Sequence, residues 1–221
     1  MLKVVETADT SPTLFHSSWK AYYHSVHGAV QESNYVFIQN GLMPVIHRTK
    51  NIHLLEVGLG TGLNCFLSAL AIRQWAPHFI QYVAIEKFPL EKLLFNTLSE
   101  KEPFCRHKEL FLTIHSERTD VFLQENFQLI KIIEDAKVAI QNIPENFLQL
   151  IYYDAFAPST QPEMWEKEIF EILYTKMQKD AVLVTYCAQG QFKRHLKAIG
   201  FKVETLAGAG KKREMTRAIK S

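Results

Sequence analysis

Three cysteines in 221 residues, Cys65, Cys105 and Cys187, are too few and too far apart for a disulfide framework, and no C-x-x-C pair marks a zinc site. They are expected to be reduced, buried thiols. Long apolar runs are missing as well. None approaches the roughly 20 residues that span a bilayer, and the N-terminus lacks the basic-then-apolar order of a secretory signal. The expectation is a cytoplasmic protein with no membrane-spanning segment. The nine histidines show no metal-ligand spacing with carboxylates, and the pair His24 and His27 reads as packing, so no metal is assigned. Repeats and low-complexity segments are also absent, which excludes solenoids and biased linkers.

What is present is ordinary for a globular chain: 47% hydrophobic and 22% charged residues, in a length that suits one substantial domain with or without a small extension. The net charge of +2 hides an asymmetry. From Phe192 to Ser221 there are nine basic residues against Glu204 and Glu214, a block of +7 on a body of −5. Such a block points to a polyanion partner, with a solvated basic face as the plainer alternative.

Apolar, β-rich runs at Ile52–Val57, Tyr82–Ile85, Leu110–Ile114, Leu148–Tyr153, Ala181–Thr185 and Lys202–Leu206 alternate with helical patterns. This predicts an α/β fold, a mostly parallel twisted sheet with helices on both faces. Helices are expected over Phe88–Leu98, opened by Pro89; from a Thr119-Asp120 N-cap through Ile132; over Pro162–Met177; and over Gln189–Ile199, stopped by Gly200. Met215–Ile219 is expected as a last edge strand. Ahead of this domain, Tyr35–Ile38 and Met43–Ile46 flank Gln39-Asn40-Gly41-Leu42, and the Asn-Gly pair predicts a hairpin. The expected division is a small β-hairpin extension over 1–50, placed to cover a ligand, and one α/β domain over 51–221.

The stretch Leu54-Leu55-Glu56-Val57-Gly58-Leu59-Gly60-Thr61-Gly62-Leu63-Asn64 runs an apolar strand through an acid into three alternating glycines, after which a helical period starts. Glycines at a strand-to-helix turn let backbone approach a ligand, with helix N–H groups pointing at it. The dinucleotide fingerprint G-x-G-x-x-G is not met. The alternating spacing behind Glu56 instead resembles motif I of the S-adenosylmethionine-dependent methyltransferases. On that reading Glu56 holds the methionyl ammonium directly or through water, unless it is only a helix-dipole acid. Glu86, ending the second strand, accepts both ribose hydroxyls. Asp120, after the third, is either an acid near the adenine or an N-cap. The fourth strand ends in Asp154-Ala155-Phe156-Ala157-Pro158, similar with changed spacing to the D/N-P-P-Y/F loop of amine methyltransferases acting on bases. There Asp154 would grip the target nitrogen beside the transferring methyl and Phe156 would pack on the base; a helix cap and a core ring are the alternatives.

Four blocks occur in order: Glu56 through Asn64; Glu86-Lys87-Phe88-Pro89-Leu90; Asp154 through Pro158 with Pro162-Glu163-Met164-Trp165; and Gly208-Ala209-Gly210-Lys211-Lys212-Arg213-Glu214-Met215. Together, with the lead-in Gly28 to Phe37, they resemble the methyltransferase domain of the MnmC-like tRNA wobble-uridine enzymes. The resemblance implies a Rossmann-like class I methyltransferase fold and S-adenosylmethionine as cofactor, held by Glu56, Gly58, Gly60, Gly62, Asn64, Glu86, Lys87, Asp120 and Asp154. It implies methylation of the amine of 5-aminomethyl-2-thiouridine at the tRNA wobble position, with Asp154 and Phe156 at the reacting end. Lys193, Arg194, Lys211, Lys212 and Arg213 would bind the anticodon stem-loop. No FAD-dependent oxidoreductase domain follows within the 221 residues, so the expected form is the stand-alone methyltransferase, fed by a separate upstream enzyme. Rival readings are a small-molecule or protein methyltransferase, a nicotinamide oxidoreductase and a non-catalytic RNA-binding module.

Overall fold

The computed structural model describes residues 1–73, 75, 78–210 and 213–221. Its centre is an eight-stranded sheet. Five strands run parallel in the order β9-β8-β4-β5-β7, where β4 is Asn51–Val57, β5 Phe79–Ile85, β7 Phe127–Ile132, β8 Leu148–Tyr153 and β9 Met177–Thr185. Because parallel strands are buried on both faces, their side chains sort by alternation. Leu54, Tyr82, Leu150, Tyr152 and Val184 point into one core, and Leu55, Val83, Ile151, Tyr153 and Leu183 into the other. The first core is covered by α3 (Leu63–Ile72) and α5 (Lys108–Ile114), the second by α7 (Lys167–Lys176) and α8 (Gly190–Ile199).

The edges are antiparallel. β11 (Glu214–Lys220) lies between β9 and β10 (Phe201–Ala207), pairing with both, so the run Met215–Ile219 is interior rather than an edge strand. At the other edge, β6 (Asp120–Gln124) forms a hairpin with β7. The helix expected from Thr119 to Ile132 is therefore two strands. The alternating burial of Phe127, Leu129 and Lys131 has the two-residue period of a sheet. Conversely, the strand expected at Leu110–Ile114 is α5, whose buried Leu110, Phe111 and Ile114 share one helical face. Pro89 lies before its helix, since α4 spans Lys92–Ser99 after an N-cap at Glu91. Pro162–Trp165 is a 3₁₀ turn, separated from α7 by extended Glu166.

The N-terminal region does carry β structure, but not where the Asn-Gly pair places it. β1 (Leu2–Glu6), β2 (Pro12–His16) and β3 (Ala21–Tyr22) form a separate antiparallel sheet. The expected hairpin at 35–46 is instead helical: α1 (Ala29–Ser33), a π-helical stretch Asn34–Leu42 and α2 (Met43–Ile46). Gly41 serves packing rather than a turn. A Cβ there would lie 2.9 Å from Val184 Cγ2 and 3.1 Å from Tyr152 Cε1, so the helix rests on β8 and β9 only because position 41 has no side chain. Cys105 is exposed, in a 3₁₀ turn whose buried member is Phe104; Cys65 and Cys187 are buried as expected. Among the described residues no helix is long and apolar enough to cross a membrane.

Gly41→Val is expected to cost about 1–3 kcal/mol by overpacking. The check is a urea midpoint that falls while the m-value stays unchanged.

Candidate active site

Strand order reverses between β4 and β8, and the C-terminal ends of these strands form the crevice where open α/β sheets bind ligands. The backbone is stitched together there: Gly58 N–H donates to Ile85 O at 3.0 Å, and Asp154 N–H donates to Val57 O at 3.0 Å. A Cβ on Gly58, whose φ is +92°, would meet Asp154 O at 2.8 Å. Glycine is thus demanded twice at this position, by conformation and by the neighbouring loop. Gly60 and Gly62 also adopt positive φ, and Gly62 is the N-cap of α3.

A cavity of about 1090 Å³ opens from this crevice. Its walls include Gly58, Gly60, Glu86, Lys87, Asp154 and Phe156. Glu86 sits at the end of β5, where its Oε2 accepts Gly60 N–H at 2.9 Å and its Oε1 accepts Phe88 N–H at 2.8 Å. Burial pushes its carboxyl up, and these backbone donors work the other way. Lys87 pairs with Asp135 at 2.9 Å and lies over the Phe88 ring.

Behind the wall is a buried polar chain. Ser33 of α1 donates to Asn64 Oδ1, while Asn64 Nδ2 donates to Glu56 Oε1 at 3.0 Å and to Asp154 Oδ2 at 2.8 Å. Glu56 is wholly buried. Its burial, and next the nearby Asp154, raise its carboxyl well above the usual range. The Asp154 loop is fixed from the other side too: Trp165 Nε1–H donates to Phe156 O at 2.8 Å, Tyr186 O–H to Ala155 O at 2.7 Å, and Tyr153 O–H to Met164 O.

These residues have relatives. A family described as S-adenosyl-L-methionine-dependent methyltransferase matches residues 101–221, more than half of the sequence. The chain belongs to that family. The methyltransferase is 32% identical to the "tRNA 5-methylaminomethyl-2-thiouridine biosynthesis bifunctional protein MnmC" of Idiomarina loihiensis, over 87% of this chain and 34% of the relative. Its identity to the protein of the same name from Methylobacillus flagellatus is 28%, over 87% and 31%. The chain spans about a third of the length of these curated relatives. The crystal structure of MNMC2 from Aquifex aeolicus matches with a TM-score of 0.84 at 26% identity, covering 99% of this chain and 70% of that one. Spermidine synthase from Thermotoga maritima, at 10% identity and a TM-score of 0.59 over 100% of this chain and 69% of that one, shares the fold.

The methyltransferase brings some of the expected site residues together and separates others. Gly58, Gly60, Glu86, Lys87, Asp154 and Phe156 line one cavity. Glu56 and Asn64 lie outside its lining, as the bridge that holds Asp154. Asp120 also lies outside it: exposed at the start of β6, it accepts from the Gln128 side-chain amide at 2.9 Å rather than capping a helix. Lys193 is committed within the chain, to Glu214 at 2.6 Å and Thr205 at 3.1 Å. Arg194 and Arg213 are exposed, and Lys211 and Lys212 fall outside the described residues. Among described residues no group of three or more His, Cys, Asp or Glu is arranged for a metal ion.

Three features had no motif to announce them. Residues of the N-terminal sheet and its following loop, among them Trp19, Tyr23 and His24, line the cavity. Both Trp19 and Tyr23 meet the Phe156 ring edge-on, at 5.0 and 4.9 Å. The cluster of aromatics and histidines at 15–24 was their only sequence signal. His115, in a segment that reads as loop, donates from Nε2 to Thr61 O at 3.0 Å and stacks on Phe95; burial holds its pKa to about 4, so the ring supporting the glycine turn is neutral.

Glu56 also gives the site a pH signature. Its folded pKa lies above the ordinary 4.5, so its contribution to stability is full below about pH 4.5 and is lost as pH rises toward the folded value. Glu56→Gln keeps an acceptor for Asn64 and is expected to remove this slope, at most about 1.4 kcal/mol per pH unit. Urea unfolding of both proteins across the acid to neutral range is the check.

Proposed function

We propose that this methyltransferase moves a methyl group from S-adenosylmethionine to the primary amine of 5-aminomethyl-2-thiouridine at the tRNA wobble position, giving 5-methylaminomethyl-2-thiouridine. The observation that carries the reading is Asp154 and Phe156 on one braced loop, in the wall of the same cavity as the glycine turn. The names of the MnmC relatives and the likeness to Aquifex MNMC2 support the choice of acceptor.

Bound S-adenosylmethionine supplies a methyl group on a sulfonium centre. The chain fits such a cofactor. Gly58 and Gly60 present backbone without a side chain at two points of the turn, and each Glu86 oxygen keeps a second lone pair for a ribose hydroxyl after accepting its backbone N–H. Lys87 borders the same wall. Glu56 and Asn64 act at one remove, by fixing the Asp154 carboxylate.

An aliphatic ammonium has no lone pair for attack, so the amine must lose a proton and be aligned. Asp154 orients it and accepts that proton. Positioning supplies much of the rate, which suits a loop braced by Asn64, Trp165 and Tyr186. Phe156 packs on the splayed-out loop base. Arg194 and Arg213 contact anticodon-stem phosphates, positioning the RNA without reading its sequence. The amine is made by an upstream modification of the wobble uridine, and the reaction takes place in the cytoplasm with the tRNA.

The deciding experiment incubates the protein with S-adenosylmethionine and tRNA from a strain lacking the modification, then analyses wobble nucleosides by mass. A gain of one methyl on the aminomethyl nucleoside is expected; methyl incorporation into protein or small amines instead would sink the reading. Asp154→Asn is expected to lower kcat by about 10²–10⁴-fold while cofactor affinity stays within a few-fold. Near-normal turnover at saturating tRNA would remove the proton role. Charge reversal at Arg194 and Arg213 should weaken tRNA binding at low salt and flatten the salt dependence by about one per lost contact, measured by filter binding.

A further inference from the structure

The hairpin joining β2 to β3 ends in a tip that the methyl-transfer chemistry leaves unused. Its register, Phe15 opposite Tyr22 and His16 opposite Ala21, puts Ser17 to Lys20 in the turn. Lys20 adopts a left-handed φ of +49°, and Trp19 N–H donates to His16 Nδ1 at 3.2 Å. The Trp19 indole stacks on the His16 ring at 4.4 Å and touches Phe156. Large rings usually hide from water, yet Trp19 is 37% and Tyr22 43% exposed. Both line the cavity, as do His16 and exposed Lys20.

Exposed aromatic rings interleaved with a cation, at the rim of a cavity, are the elements that hold single-stranded nucleic acid. Bases stack on the rings whatever their sequence, and the cation meets the backbone phosphate. Lys20, which follows Trp19 and precedes Tyr22 in the sequence, is exposed and lines the same cavity, where it suits a charged backbone better than an apolar protein face. We infer that the hairpin tip, Trp19 and Lys20 with Tyr22 beside them, is a docking lip for the unpaired RNA next to the target nucleotide. This rests on the tRNA reading above. It assigns the N-terminal sheet a task distinct from the cofactor turn: gripping the acceptor strand at the wall of the cavity.

The test uses the full chain loaded with S-adenosylhomocysteine, a labelled anticodon stem-loop and a fully duplex RNA of equal charge, with affinity read by fluorescence anisotropy. W19A is expected to weaken stem-loop binding by about 5- to 100-fold, the range of one base–ring stack, and to leave the duplex unaffected. W19F should restore most of the loss. K20A should lower the salt slope by about one. S-adenosylhomocysteine affinity, measured by calorimetry, should be unchanged in all three, which shows that the fold survives. Equal stem-loop binding by W19A and wild type, or an equal loss on both RNAs, overturns the lip. If wild type methylates the stem-loop and W19A does so with unchanged KM, only the lip falls. If wild type neither binds nor methylates it, the wobble reading falls and takes the lip with it.

Discussion

The site depends on one side chain, the Asn64 amide. Its two N–H donors are divided between a fully buried carboxylate on β4 and the Asp154 carboxylate after β8, and its oxygen receives Ser33 from the N-terminal helix. Three segments far apart in sequence are thereby set in register at the point where strand order reverses. Burial of the Glu56 carboxyl, and next the nearby Asp154, raise it well above the usual range, and the Asn64 amide works the other way. Glu56 lies outside the cavity lining, while Asp154 is in its wall.

Backbone geometry reinforces the same point. Gly58 comes so close to the Asp154 carbonyl that the glycine turn and the Asp154 loop form one surface. Trp165, from the core opposite α3, and Tyr186, just beyond β9, hold the Asp154 loop by its carbonyls. Any shift of that loop would have to break bonds on both sides, which makes the loop a fixed reference against which a cofactor and an acceptor can be aligned.

The sequence was most legible where chemistry and local geometry coincide. Gly58, Glu86 and Asp154 each follow directly on a strand whose apolar run is unmistakable, Gly60 lies in the turn after the first of these strands, and all four line the cavity. Hydrophobicity alone misled between residues 108 and 132: Leu110, Phe111 and Ile114 suit a short strand or one helical face, and the choice is made by what packs on them. Asn40-Gly41 looked like a turn because glycine serves equally for a turn and for close packing, and only Val184 and Tyr152, far along the chain, tell the two apart. That Lys193 reaches Glu214, twenty-one residues on, had no signal in the sequence. The place of Trp19 and Tyr23 beside the site was not legible, since they meet Phe156 by ring contact rather than through any motif.

The position of β11 has a consequence for how the molecule is made. β10 reaches the sheet only through β11, so when residues 201–207 leave the ribosome they have no strand to join. Until residues 214–220 follow, β9 presents an open edge and β10 an unpaired ribbon. The basic flank of the sheet is thus the last part to close during synthesis. A nascent chain stalled between these two strands would carry a finished glycine turn beside an unfinished and adhesive margin, the stage at which a chaperone has most to protect.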